Sequence, residues 1–400
     1  MFKVAILGFG VVGSGTGEVL LMNSEKITHE AGDEVELKYI VDIRDIDDPR
    51  FAKYAVKDFS VALNDPEVTI IAETIGGAGV AYEYTKAALL AGKHVVTSNK
   101  ELVAKHGVEL LEIALKNNIN YLFEASVGGG IPILRPIQQC LSANRITEVY
   151  GILNGTTNYI LTAMSEKGAS FEDALAEAQK NGYAEANPSA DVDGIDALRK
   201  ICILSDLCFG KNFSPDLVQP IGIRPVSEYD TKYANQGGYK IKLLGRAVSD
   251  EATDKVAVYV APHLVSSDNL LASVTGVMNG IVVRGNALGD VMFYGAGAGK
   301  MPTASAVVAD IIDCCRHTKN RKRIMWARGS VEDTFPSANI ASRWYARVAS
   351  PEGTVKKYIP DAEILGGDVS QTGFIADEKT KPEVERQLEP FEVLSLFRVI

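Results

Sequence analysis

The first thirteen residues, MFKVAILGFGVVG, constrain the fold more than any other stretch. KVAIL (3–7) is a continuous apolar run of the kind that forms a strand buried on both faces. Gly8, Gly10 and Gly13 then fall in a G-x-G-x-x-G pattern, and the chain continues as a helix to about Leu21. Each glycine has its own task. Gly8 permits a tight turn, Gly10 lets a pyrophosphate approach the backbone, and Gly13 lets strand and helix pack closely. The unpaired N–H groups of the helix start, around Val11 and Val12, are then available to phosphate oxygens. The competing reading is a tight turn that holds no ligand. The strand–turn–helix setting favours a dinucleotide site over it.

Strands and helices go on alternating. EVELKYIVDI (34–43), VTIIAET (68–74), KHVVTSN (93–99) and INYLFEAS (119–126) read as strands. VAYEYTKAALLAG (80–92) and ELVAKHGVELLEIALKNN (101–118) read as helices, the first closed by Gly92. This pattern specifies an α/β fold with a Rossmann-type doubly wound parallel sheet, whose ligands bind at the carboxyl ends of the strands. Those ends are TIGG (74–77), TSNK (97–100) and the residues from Glu124 onward. Asp42 and Arg44 lie near the end of the second strand. An acid there hydrogen-bonds the ribose hydroxyls of NAD, whereas an arginine pairs with the extra phosphate of NADP. Both cofactors are open on this evidence, and Arg44 tips the expectation to NADP.

After about residue 145 the pattern changes. ITEVYGILNGTTNYILTAMSEKG (146–168) reads as strand, polar turn and helix, and 171–207 as two helices with a long polar connection. KIKLLGRAVSD (240–250), KVAVYVAPHLV (255–265) and 280–299 read as a second, mostly antiparallel sheet. MPTASAVVADIIDCCRH (301–317) is a long helix able to return to the first domain. The expected domains are therefore 1–140, completed by helix 300–318; an α+β substrate and dimerisation domain over 141–299; and a region over 340–400. The basic stretch TKNRKR (318–323) reads as a linker, too short to signal nucleic-acid binding.

A net charge of −10 lacks the basic footprint of a nucleic-acid binder. No apolar run approaches eighteen residues, so no membrane span is expected. The N-terminus lacks a charged n-region and cleavage site, which points to the cytoplasm. Cys140, Cys202, Cys208, Cys314 and Cys315 show no CxxC or zinc spacing and are expected to be reduced, mostly buried thiols.

DVDGIDALRK (191–200) carries three aspartates, and Lys200 follows Asp196 by four, so the two share a helix face. Taken alone, this is the pattern of a surface ion pair contributing about 0.3–0.5 kcal/mol. The wider sequence changes that weighting. GFGVVGSG, ETIGG, TSNKELVA, EASVGGGIPILRP, ILNGTTNYIL, GYAEANPSADVDGIDALRK and GAGAGKMPTASAVVAD occur in this order, and over about 1–318 the chain resembles the homoserine dehydrogenases.

The resemblance implies reversible oxidation of L-homoserine to L-aspartate 4-semialdehyde with NAD or NADP, on the route to threonine and methionine. It makes Lys200 the acid/base group, with Asp196 near the substrate hydroxyl. Lys100 becomes an active-site lysine close to nicotinamide and substrate. Glu185 and Asp191 become partners of the substrate ammonium, and Thr156 and Gly155 the substrate-side turn. Thr74 and Ser98 are implied cofactor contacts, and Gly297 lets the return helix approach the cofactor. Backbone oxygens of Glu124, Val127, Gly129 and Ile131 match a monovalent-cation site, such as one for sodium. A homodimer is implied as well. At the C-terminus SRWYARV and the segment from Gly373 resemble the ends of an ACT-type domain. The middle looks too short for a full loop and first helix, so an ACT-like remnant is expected.

Two other readings compete. An aspartate-semialdehyde dehydrogenase, another oxidoreductase of the same pathway, needs an activated cysteine, and none here lies in a convincing nucleophile turn. A non-catalytic nicotinamide-binding sensor would keep the glycine turn but has no use for Lys100, Glu185, Asp196 and Lys200 together.

Overall fold

The computed structural model describes residues 1–322 and 324–400; Arg323, the last residue of the basic stretch, lies outside the described residues. Two compact units are present. The first holds Met1–Arg145, Cys202–Pro215 and Gly295–Gly329; the second holds Ile146–Ile201, Asp216–Tyr294 and Ser330–Ile400. These units do not follow the expected bounds throughout. Residues 202–215 group with the first unit, and 340–400 is part of the second rather than a region of its own.

In chain order the strands are β1 (Phe2–Leu7), β2 (Val35–Val41), β3 (Ala55–Val56), β4 (Val68–Glu73), β5 (His94–Thr97), β6 (Tyr121–Leu122), β7 (Ile146–Ile152), β8 (Lys211–Asn212), β9 (Tyr239–Asp250), β10 (Lys255–Ser266), β11 (Met278–Gly285), β12 (Gly289–Ala296), β13 (Ala327–Arg328), β14 (Ser342–Val348), β15 (Glu363–Gly367), β16 (Thr372–Lys379) and β17 (Val393–Val399).

The first unit is built on a parallel sheet of order β3-β2-β1-β4-β5-β6. This is the doubly wound order with its switch point between β1 and β4, where such sheets bind ligands. Its apolar runs are buried throughout, as parallel strands covered on both faces must be: Val4 to Leu7, Ile70 to Ala72, and Val95 and Val96. β6 is shorter than expected because Glu124 to Ser126 already form a 3-10 turn. The helix Lys300–Arg316 lies against the helix Val11–Met22. A Cβ at Gly15 would stand 2.8 Å from the Lys300 carbonyl oxygen, so glycine there sets how closely the two helices approach. β8 and β13 pair separately as a small ribbon.

The second unit carries a sheet of order β12-β11-β7-β9-β10-β17-β14-β16-β15. β7, β9, β10 and β11 pair antiparallel, with β9 and β10 in unbroken register from Tyr239–Ser266 to Asp250–Lys255. Alternate residues of these strands supply the buried cluster Tyr150, Ile152, Leu244, Val265 and Val282. β17 then joins β10 in parallel at His263–Arg398 and Leu264–Val399. The C-terminal region therefore continues the same sheet.

That region corrects one expectation. A first helix is present, Glu352–Tyr358, and the chain runs β14, helix, β15, β16, helix Lys381–Leu388, β17. With its strands ordered β17-β14-β16-β15, this is a complete β-α-β-β-α-β split unit rather than a remnant. Val355 from the short helix packs with Trp344, Phe374, Val384 and Leu388. Asp230 ties the unit to the helix Glu228–Gln236: it is fully buried and accepts from Arg347 Nε (2.7 Å), Tyr345 (3.0 Å) and Ser395 (2.9 Å).

Candidate active site

The glycine turn of the first unit behaves as its spacing predicts. Gly8 has φ +85°, where a side chain is disfavoured, and a Cβ at Gly13 would lie 2.0 Å from the Gly8 carbonyl oxygen. At Gly10, by contrast, the space is open, with only the Arg44 guanidinium at 4.0 Å. Gly10 precedes the helix Val11–Met22 without a side-chain cap, and Val11 is exposed at its start. This arrangement suits a pyrophosphate. A cleft of about 380 Å³ opens beside it, lined by Gly8, Gly10, Asp42, Arg44, Lys57 and Thr74 together with the apolar Ile43, Ile75 and Val80.

Asp42 and Arg44 pair with each other. Buried Asp42 accepts the Phe9 amide at 2.6 Å and is gripped by Arg44 Nε at 3.0 Å and its terminal nitrogen at 2.9 Å. The guanidinium and two backbone amides hold the Asp42 carboxyl well below the usual carboxylate range. Arg44 itself remains 67% exposed at the cleft. Thr74 turns its hydroxyl to the carbonyls of Leu7 (2.9 Å) and Gly8 (2.8 Å), so it braces the glycine turn. Ser98 and Lys100 flank Asn99, whose side chain caps the helix Lys100–Lys116 by accepting from Leu102 N at 3.1 Å.

In the second unit, the opening turn of the helix Ile195–Phe209 is not a solvated surface. Asp196 is 5% and Lys200 7% exposed. Lys200 Nζ donates to Asp196 Oδ2 and to the Leu153 carbonyl, both at 2.8 Å. The surface-pair reading is thereby overturned; the i, i+4 spacing is the same, but the environment is not. Asn154, the first residue of the NGTT turn, is the hub. Its Oδ1 caps the helix Gly155–Lys167 by accepting from Thr157 N (2.8 Å), while its Nδ2 donates to Asp191 (2.7 Å) and Asp196 (2.9 Å). The signal was a strand end followed by an asparagine cap; its partners lie 37 and 42 residues away. Burial, and to a lesser extent the charge of Asp196, raises the Asp191 carboxyl above its ordinary value. Thr156 donates to the Tyr183 carbonyl at 2.7 Å. At Gly155 a Cβ would meet the Val277 carbonyl oxygen at 2.6 Å, which explains the glycine there.

One further expected residue, Glu185, and the third aspartate of the 191–200 stretch, Asp193, stand apart from this cluster. Glu185 is exposed on the preceding loop, where its carbonyl accepts from Gln179, and no hydrogen bond joins its carboxylate to the cluster among the described residues. Asp193 pairs with Arg224 outside the cluster.

The Gly-rich loop after β6 is organised by Glu124. Its buried carboxylate accepts the amides of Ile133 (2.7 Å), Leu134 (3.0 Å) and Arg135 (2.8 Å), and burial raises it above the usual range. Gly128 and Gly129 both take positive φ, and Gly129 abuts buried Gly297, where a Cβ would lie 2.6 Å from its carbonyl. Among the described residues, no group of three or more His, Cys, Asp or Glu could hold a metal ion. No helix among them is long and apolar enough to cross a membrane. The buried Cys314 and Cys315 carry no activated thiol, and burial pushes Cys315 up to about 12.

A doubly wound sheet with a dinucleotide turn in one unit and a buried lysine–carboxylate pair in the other define a nicotinamide-dependent oxidoreductase. Comparison with known proteins gives the narrower assignment. Residues 8–124 match the family model "Homoserine dehydrogenase, NAD binding domain", and 132–312 match "Homoserine dehydrogenase". The homoserine dehydrogenase of Synechocystis is 45% identical over 317 residues, covering 78% of this chain and 72% of its own. That of Helicobacter pylori is 38% identical over 378 residues, covering 94% and 88%. The structure of a homoserine dehydrogenase from Thiobacillus denitrificans has a TM-score of 0.90 at 35% identity, covering all of this chain and 98% of its own. A hyperthermophilic archaeal homoserine dehydrogenase mutant, solved in complex with NADPH, gives 0.67 at 31% identity over 80% of this chain and 99% of its own. The chain belongs to the homoserine dehydrogenase family, the NAD(P)-dependent oxidoreductases that interconvert L-homoserine and L-aspartate 4-semialdehyde.

Proposed function

We propose that Lys200 is the acid/base group of this reaction and that Asp196 orients it. The observation that carries this reading is the buried Lys200 ammonium, held between the Asp196 carboxylate and the Leu153 carbonyl. When bound, the nicotinamide supplies the hydride acceptor. As the amine, Lys200 takes the hydroxyl proton; as the ammonium, it returns that proton in the reverse direction. Asp196 stabilises the ammonium that forms. Asp191 answers the substrate ammonium, beside Gly155 and Thr156. Glu185 completes that charge set from its loop, and Lys100 opens the helix that follows β5. Gly8, Gly10, Val11, Val12 and Gly13 form the pyrophosphate turn, with Thr74, Ser98 and Gly297 around it.

The cofactor is NADP. Arg44 engages Asp42 through Nε and one terminal nitrogen, and its exposed guanidinium, with Lys57 in the same cleft, is offered to a 2′-phosphate. An NADPH complex of the archaeal relative is in line with this. Initial rates with L-homoserine test it. Arg44→Ala is expected to raise the KM for NADP about 10- to 100-fold, the worth of a charge-assisted hydrogen-bond pair, and to leave NAD nearly unchanged. An equal change for both cofactors would remove the assignment.

The backbone oxygens of Glu124, Val127, Gly129 and Ile131 are proposed as the ligands of a monovalent cation, since hard cations take oxygen ligands. Rates in sodium against tetramethylammonium chloride test this site, and a rate indifferent to the exchange would count against it. A homodimer through the sheet of the second unit is in keeping with its edge strand β12 and the exposed Tyr294. Light scattering that gives a monomer mass would end that proposal.

A further inference from the structure

We propose that Glu73 is a positioning residue. Its carboxylate locks the turns after β4 and β5 to each other and so places the start of the helix that begins with Lys100. This inference rests on the reading above that Thr74 and Ser98 surround the cofactor and that Lys100 is an active-site lysine.

Glu73 ends β4 and has no exposed surface. A carboxylate in such a place is costly unless its oxygens are fully engaged, and here they are. The Ile75 amide at 2.7 Å and the Gly76 amide at 3.3 Å reach Oε1; the Thr97 hydroxyl donates to Oε2 at 2.5 Å. The contacts continue in a ring. Thr97 Oγ1 accepts the Asn99 amide at 2.9 Å, and Asn99 Nδ2 donates to the Gly77 carbonyl at 2.6 Å. Gly77 follows Gly76, which closes the circuit back to Glu73. Gly76 and Gly77 have φ of +87° and +69°, a turn that few other residues could adopt. Ile75 from this turn lines the cofactor cleft. Asn99, which shares in the ring, also caps the Lys100 helix.

The plain alternative is a stabilising cap at a strand end. Two amides and one hydroxyl can be satisfied by a neutral side chain, without a buried carboxyl that burial disfavours in its charged form. What a carboxylate adds is direction. It accepts only, so the Thr97 hydroxyl must point to Glu73 and receive Asn99 from the other side. The two turns then have a single mutual register.

The test uses Thr97→Val, which keeps the side-chain shape and removes the hydroxyl; Thr97→Ser, which restores it; and Glu73→Gln, which keeps an acceptor for Ile75 and Gly76. NADPH affinity by fluorescence titration, kcat, KM for L-homoserine and melting temperature are measured for each. Thr97→Val should lose at least tenfold in kcat and at least threefold in NADPH affinity. Its KM for L-homoserine should stay within twofold, and Thr97→Ser should recover kcat to within threefold. Glu73→Gln should fall between wild type and Thr97→Val. A folded Thr97→Val with wild-type kcat and NADPH affinity, beside an impaired Lys100→Met, overturns the proposal alone. A Lys100→Met variant with unchanged kcat overturns the site reading, and this proposal with it.

Discussion

Lys200→Met should lose about 10²- to 10⁴-fold in kcat, the usual worth of a positioned acid/base group, while NADPH still binds. The same substitution leaves Asp196 buried without its ion pair, a change that typically costs about 3–5 kcal/mol of stability. Lost activity in that variant alone would therefore be ambiguous, and Lys200→Arg resolves it. Arginine keeps the positive charge beside Asp196 but does not give up its proton. If Lys200 only completed a structural ion pair, Arg would restore activity along with the fold. The acid/base role predicts a folded Lys200→Arg protein whose kcat is as low as that of Lys200→Met. Melting temperatures and single-turnover rates on both variants separate the two effects.

Asn154→Ala is the second change with a large expected effect. It removes a helix cap worth about 0.5–2 kcal/mol and two hydrogen bonds to carboxylates worth about 1.5–3 kcal/mol each. Asp191 and Asp196 would then face one another with no amide between them. The expected result is a 10- to 100-fold rise, roughly, in the KM for L-homoserine, with a lower melting temperature. Asn154→Ser divides the two contributions, since serine caps as well as asparagine but cannot span both carboxylates. Its melting temperature should approach that of wild type while KM stays high. A serine variant with wild-type KM would show that the bridge to the aspartates does not matter to substrate binding.

The first unit was legible because its signals are local. The apolar run of β1 and the glycines at 8, 10 and 13 lie close together in sequence, and Gly8 and Gly13 answer steric demands visible in the backbone while Gly10 leaves the turn open. β3 is only two residues long and carries no pattern to detect. The second unit was harder to read. Its antiparallel strands alternate clearly, yet the junction of β17 with β10 is a two-residue parallel pairing across more than a hundred residues of sequence. The short helix Glu352–Tyr358 went unpredicted because one buried residue, Val355, gives too little periodicity in seven.

Within the site, residue types were easier to foresee than environments. Asp196 and Lys200 at i, i+4 look alike on a surface and in a core; only burial distinguishes them. The opposed roles expected of Asp42 and Arg44 turned into a pair because the Phe9 amide, from the glycine turn, fixes the aspartate. Thr74, expected to touch the cofactor, braces the glycine turn with its hydroxyl and also lines the cleft beside it. Asn154 and Glu73 lie within ILNGTTNYIL and ETIGG, but their partners are far away in sequence, so the motifs alone do not show what the two side chains hold.

The most direct test of the account is a crystal structure with L-homoserine and a non-reducible nicotinamide analogue bound together. The account predicts the substrate hydroxyl within hydrogen-bond reach of Lys200 Nζ, about 2.6–3.2 Å, with Asp191 on the substrate ammonium. A hydroxyl held by other groups, with Lys200 buried out of reach against the Leu153 carbonyl, would contradict it.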